Sequence, residues 1–153
     1  MCGITGIFSQ RPVASELYDS IIHLQHRGQD AAGIMTYDKR MHKEKGMGLA
    51  KEVFNKENLQ LLKGNIGISH NRYPTHGGFS HGEVQPFWTS VPYGIALAHN
   101  GNLTNYEDLA KEVTKEETRY LNTTSDSEVL LHLFADHLHQ DAPPQNSEDF
   151  FNL

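Results

Sequence analysis

The 153 residues hold 13 Lys and Arg against 19 Asp and Glu, a net charge of −6, with 37% hydrophobic and 21% charged content. That length suits one domain and that composition a folded chain; the acidic balance, without a cluster of basic residues, argues against nucleic acid or an anionic membrane as partner. A single cysteine leaves no internal disulfide and no cysteine-rich zinc or iron–sulfur site in this chain. With neither a signal peptide nor an apolar run of ~18 residues, the expected location is the cytoplasm.

Residues 3–8 are short, apolar and dotted with glycine, which predicts a strand with Cys2, Ile4, Gly6 and Phe8 on one face. Val13, Leu17, Ile21 and Leu24 recur at helical spacing and predict a helix to about His26, with Gly28 as its left-handed stop. A strand follows over 32–37, a hairpin over 39–48 and a short helical piece over 53–62. Residues 65–72 alternate Ile66, Ile68, His70 and Arg72 against Gly67, Ser69 and Asn71, a strand that delivers Arg72 at its end.

The glycine-rich stretch 73–85 has no periodicity and predicts a functional loop, a candidate lid. Residues 94–99, apolar on both faces, predict a buried strand running into the Asn100-Gly101-Asn102 turn. A helix starts near Asn105 with Tyr106, Leu109 and Val113 along it. Ser125 and Glu128 have capping-box spacing for a second helix, whose predicted apolar face is Val129, Leu130, Leu133, Phe134 and Leu138. The class is α+β, since strands and helices mix without βαβ alternation and no GxGxxG or Walker motif occurs. Residues 142–149 predict a polar loop. Phe150, Phe151 and Leu153 read as the start of a further element, hence as the front part of a longer protein.

The chemistry gathers at four places. With Met1 removed, Cys2 carries a thiol and a free α-amine, which titrates near ~7.7–8.0 and can serve as base to its own nucleophile. Taken alone, such a cysteine more often simply opens a buried strand. Asn100-Gly101 offers a side-chain amide and an approachable backbone N–H, the makings of an oxyanion hole, or a plain turn. Arg72 has the planar fork that grips a carboxylate, and Asp126 could hold an ammonium; a surface ion pair and a helix cap are their alternatives. His132, His137 and His139 suit a helix C-terminus. His70, His76, His81 and His99 lack the accompanying ligand spacing of a metal site, so none is assigned.

Six runs then carry a resemblance: Met1-Cys-Gly-Ile-Thr-Gly-Ile7, Leu24-Gln-His-Arg-Gly-Gln-Asp-Ala-Ala-Gly-Ile34, Gly67-Ile-Ser-His-Asn-Arg-Tyr-Pro-Thr75, Gln85-Pro86-Phe87, Ala98-His-Asn-Gly-Asn-Leu-Thr-Asn105 and Asn122-Thr-Thr-Ser-Asp-Ser-Glu128. In that order they resemble class II glutamine amidotransferases, and within them the branch that passes ammonia to phosphoribosylpyrophosphate at the start of purine biosynthesis. The glucosamine-6-phosphate synthase branch would have Tyr-Arg-Gly-Tyr-Asp where His26-Arg-Gly-Gln-Asp30 stands, and Trp in place of Tyr73. His76-Gly77, however, is similar to that branch.

The resemblance implies an N-terminal nucleophile hydrolase fold, a four-layer αββα sandwich of antiparallel sheets, incomplete on the C-terminal side. Residues 1–153 would be the N-terminal part of the glutaminase domain, with a phosphoribosyltransferase domain absent. It implies Cys2 as nucleophile after loss of Met1, and Asn100 with the Gly101 N–H as oxyanion hole. Arg72, Tyr73, Thr75 and His76 would take the glutamine α-carboxylate side, Asp126 the α-ammonium, and Arg27 and Gly28 would brace the nucleophile. It implies no cofactor in this chain. Mg2+ would belong to the absent domain, any iron–sulfur cluster would use cysteines beyond residue 153, and the full enzyme would be a homo-oligomer. The alternatives are a glucosamine-type amidotransferase and an inactive truncated fragment.

Overall fold

The apolar alternation at the start of the chain forms strand β1 (Gly3–Phe8) in the computed structural model, which describes residues 1–73, 80–115 and 119–140. Helix α1 (Ala14–His23) follows and closes in a 3-10 turn, Gln25–Arg27. Next come β2 (Ala31–Tyr37) and β3 (Met41–Met47), joined by a tight turn in which Lys39 takes a positive φ of 58°. The short helical piece is two single turns, α2 (Ala50–Val53) and α3 (Lys56–Leu59), and β4 (Ile66–Arg72) follows them. A short pair, β5 (Phe87–Thr89) and β6 (Ile95–Leu97), precedes α4 (Tyr106–Thr114) and α5 (Asp126–Gln140).

β1, β4, β2 and β3 pair in that order as one antiparallel sheet, and β5 pairs with β6 antiparallel as a second. On one face of the large sheet, Val13, Leu17 and Ile21 pack with Ala32, Ile34, Ala50, Phe54 and Leu62. The other face meets the small sheet. A Cβ on Gly33 would lie 2.0 Å from the Gln85 carbonyl oxygen, and the Lys43 ammonium stands 4.7 Å over the Trp88 ring. Six of the seven β2 residues are buried because both faces of that strand are covered. Helix α5 packs against β5 and β6, with Val129, Leu131, Ala135 and Leu138 buried. The layers run helix, sheet, sheet, helix.

Four expectations change. Gly28 is extended (φ −162°, ψ 128°), not left-handed; a Cβ there would sit 2.7 Å from the carbonyl carbon of Arg72, so close approach is what requires glycine. β6 is half-buried, and among the described residues its only strand neighbour is β5. The buried stripe of α5 takes Leu131 and leaves Phe134 42% exposed, since the stripe follows Glu128, Leu131, Ala135 and Leu138. The capping box is only half formed. Ser125 Oγ accepts from the Ser127 N–H at 3.3 Å, while Glu128 turns to the preceding loop. The expected loop at 142–149 and the apolar residues after it lie outside the described residues.

The face of the large sheet opposite α1 is uneven. Register sets Phe8, Ile66 and Tyr37 side by side, exposed by 79%, 42% and 46%. Towards the other end of that face stand His70 and Arg72. The large sheet is thus chemically loaded at one end and bare at the other.

Candidate active site

Antiparallel pairing of β1 with β4 brings the first residues of the chain to the end of a strand some seventy residues away. There the Tyr73 N–H donates to Cys2 Sγ at 3.3 Å. The Cys2 carbonyl receives two donors, Arg27 Nε at 3.0 Å and Asn100 Nδ2 at 3.0 Å. Arg27 reaches it because the 3-10 turn after α1 is pinned by Gln25, whose amide donates to the Gly28 carbonyl at 2.6 Å and accepts from the Ala50 N–H at 2.7 Å. Gly28 lies against the backbone of Asn71 and Arg72 and lets that end of β4 approach.

Asn100 and Gly101 follow β6, whose end is clamped by Gln85. Its side chain accepts from the His99 N–H at 2.7 Å and donates to the His99 carbonyl at 3.2 Å and to Ser127 Oγ at 3.1 Å. A Cβ on Gly101 would lie 2.4 Å from His99 Nε2, so any larger residue beside Asn100 requires the His99 ring or the turn to shift. Asn100 Oδ1 stands 3.1 Å from Nε2 of His70, a ring that is 1% exposed. Burial pushes the His70 pKa down to about 4, against the opposing pull of its hydrogen bond to Asn100, so the ring is neutral at pH 7.

Arg72 pairs through Nη2 with Glu83 at 2.7 Å, and the second Glu83 oxygen accepts from Thr124 Oγ1 at 2.8 Å. The carboxylate is buried and its cation half-buried, a pairing whose rupture from one side leaves a stranded charge. Asp126 heads α5. Its Oδ2 accepts from the Leu103 N–H at 2.9 Å, and Oδ1 lies 3.2 Å from Ser127 Oγ and 3.9 Å from His99 Nδ1. Just beyond, Glu128 collects four hydrogen bonds from the backbone and side chains of Asn122 and Thr123. Burial would raise that carboxyl, yet the four donors prevail and hold it below the ordinary carboxylate range.

Arg27, Tyr73 and Asn100 therefore each contact Cys2, Gly101 adjoins Asn100 in sequence, Arg72 precedes Tyr73 on its Glu83 support, and Asp126 is tied to Leu103 and lies beside His99, the residues that flank Asn100-Gly101. Thr75 and His76 lie outside the described residues. Sequence reasoning missed Glu83 as the partner of Arg72 and His70 as the partner of Asn100. The only available signal was that His70 shares a strand face with Arg72.

The glutamine amidotransferase domain, as a family, matches residues 70–150, more than half of the chain. The chain belongs to that family. Among relatives, it is 54% identical over 139 residues to the amidophosphoribosyltransferase of Pseudomonas aeruginosa, and 53% identical over 140 residues to that of Escherichia coli. Each match covers 90% of this chain and 28% of the relative. Among solved structures, the glutamine phosphoribosylpyrophosphate amidotransferase of B. subtilis in complex with ADP and GMP superposes with a TM-score of 0.77 at 33% identity, over 99% of this chain and 32% of that one. The chain thus spans less than a third of the length of these relatives. Its layering is the antiparallel α+β sandwich, of N-terminal nucleophile hydrolase type, that the family resemblance implied.

Proposed function

We propose that these residues form the glutamine-hydrolysing part of an amidotransferase and that Cys2, once Met1 is removed, is its nucleophile. The observation that carries this reading is the docking of the chain's start, with Sγ on the Tyr73 N–H and the Cys2 carbonyl held by both Arg27 and Asn100. Met1 is 81% exposed, which leaves the bond ahead of Cys2 within reach of a processing peptidase.

In this mechanism the α-amine takes the thiol proton and the thiolate attacks the side-chain amide carbon of glutamine. The resulting oxyanion is met by the Asn100 amide and the Gly101 N–H. The protonated amine returns its proton to the leaving nitrogen, the C–N bond breaks and ammonia departs. Water then cleaves the γ-glutamyl thioester to glutamate and restores the thiol. Arg72, held by Glu83, receives the substrate α-carboxylate, with Tyr73, Thr75 and His76 completing that side, and Asp126 receives the α-ammonium. Arg27 and Gly28 keep the chain's start in register with the end of β4. In the complete enzyme, a cytoplasmic homo-oligomer, the ammonia goes to phosphoribosylpyrophosphate and gives 5-phosphoribosylamine, with Mg2+ assigned to the acceptor domain.

The test is glutamate release from glutamine by protein whose mass proves Met1 absent. No release under that condition sinks the reading and leaves an inactive fragment. Cys2→Ala abolishes release, and Asp126→Ala raises the KM for glutamine; an unchanged KM would reduce Asp126 to a helix cap. His76-Gly77 keeps one rival acceptor in play, so the complete protein is offered phosphoribosylpyrophosphate and fructose-6-phosphate in parallel. Consumption of the second alone would move it to the glucosamine branch.

A further inference from the structure

We propose that His70 is the positioning residue of the oxyanion hole: its Nε2–H holds Asn100 Oδ1 and so turns the Asn100 NH2 group toward Cys2. This inference rests on the glutaminase reading above. A side-chain amide has two nearly isosteric orientations, and only one presents a donor to a developing oxyanion. Here two neighbours choose between them. The Cys2 carbonyl can only accept, which requires nitrogen at the Asn100 position 3.0 Å away. The oxygen then faces His70 Nε2 at 3.1 Å, which requires the proton on Nε2.

The ring has no slack to do otherwise. His70 is buried on β4, an inner strand of the large sheet, and its other nitrogen, Nδ1, is buried with no hydrogen-bond partner among the described residues. Burying a polar atom unsatisfied is unfavourable, and a leucine or phenylalanine would fill the space without that cost. A residue that served packing alone would not carry that cost. Burial keeps the ring uncharged at pH 7, so Nε2 meets the Asn100 oxygen as a neutral donor.

The experiment uses Met1-free protein with glutamate γ-semialdehyde, to which the Cys2 thiol adds. A C–S bond forms, the carbonyl becomes a thiohemiacetal, and its oxygen occupies the oxyanion position. Glutamate, which forms no such bond, reports ground-state binding alone. His70→Leu is expected to weaken aldehyde binding and kcat by about 10- to 100-fold, less than the ~100- to 1,000-fold for outright removal of an oxyanion donor. Glutamate affinity and the KM for glutamine should stay within about twofold, and His70→Gln, which keeps a donor near the Nε2 position, should recover most of the loss. Undiminished aldehyde binding in His70→Leu overturns the proposal, as does a parallel loss of glutamate and aldehyde binding in both variants. A wild-type protein that binds the aldehyde no better than glutamate overturns the glutaminase reading instead. Should His70→Leu fail to fold, ring 15N shifts of the wild type decide: Nε2–H supports the assignment and Nδ1–H overturns it.

Discussion

At the scale of single residues, one methyl group is enough to disturb the site. Gly101→Ala would drive a Cβ to 2.4 Å from His99 Nε2 on an otherwise exposed turn. We expect the turn to shift and glutamine turnover to fall about 100-fold, with the melting temperature little changed, because no core contact is lost. His70 gives a pH signature. Its native pKa of about 4 lies below the ~6.5 of an unfolded histidine, so the unfolded chain takes a proton first as pH falls. Stability is complete above about pH 6.5 and declines between there and about pH 4, by roughly 3 kcal/mol from this group. Urea unfolding of wild type and His70→Gln at pH 7 and pH 4.5 should show that loss in the wild type only.

Cys2, Arg72, Asn100 and Asp126 were singled out by the family resemblance, because taken one at a time a strand-opening cysteine, an ion pair, a turn asparagine and a helix-capping aspartate are ordinary. Glu83 and His70 were not, since an ordinary acid in a loop and a histidine in a strand become partners only once β4 and its surroundings are folded.

Among the elements, α5 and β4 set the precision of the site. Glu128 ties Asn122 and Thr123 to the first turn of α5, directly after Asp126. Glu128→Ala should cost about 1–3 kcal/mol at pH 7 by stranding those donors. Since the native carboxyl titrates below its ordinary value, its stabilisation is present at neutral pH and fades as pH falls through and below the carboxylate range. The variant and wild type should therefore converge in acid, as thermal melts across pH would show. Gly28→Ala would press on the backbone of Arg72 and is expected to raise the KM for glutamine, through a displaced strand end rather than a lost contact.

Periodicity revealed β1, β2, β4, α1 and α5 because each is long enough to repeat. It missed β5 because three residues make no pattern, and it gave Gly28 a helix-capping reason when the reason was a neighbour distant in sequence. The α5 face went wrong by one apolar residue for a similar reason: Leu130, Leu131, Leu133 and Phe134 offer two overlapping stripes, and only packing on the small sheet selects between them.

For the whole molecule, the face with Phe8, Ile66 and Tyr37 is the conspicuous feature. Three adjacent large apolar side chains exposed in one row favour association. Residues 1–153 prepared alone should show concentration-dependent self-association by sedimentation velocity, relieved by Phe8→Ser with Ile66→Thr. A strictly monomeric parent chain would make that row inert. The layered order of the sandwich came from family resemblance, since no local pattern in the chain dictates which sheet stacks on which.

Consider finally the exposed Met1 beside the only cysteine of the chain. Removal of that methionine would create a single 1,2-aminothiol, a group that condenses selectively with aromatic nitriles and thioesters. The maturation state could then be read by a labelling reagent, one dye per processed molecule and none on unprocessed protein. Any purification tag placed upstream would have to leave by a cut immediately before Cys2, because even one extra residue would cap the amine and silence both label and chemistry.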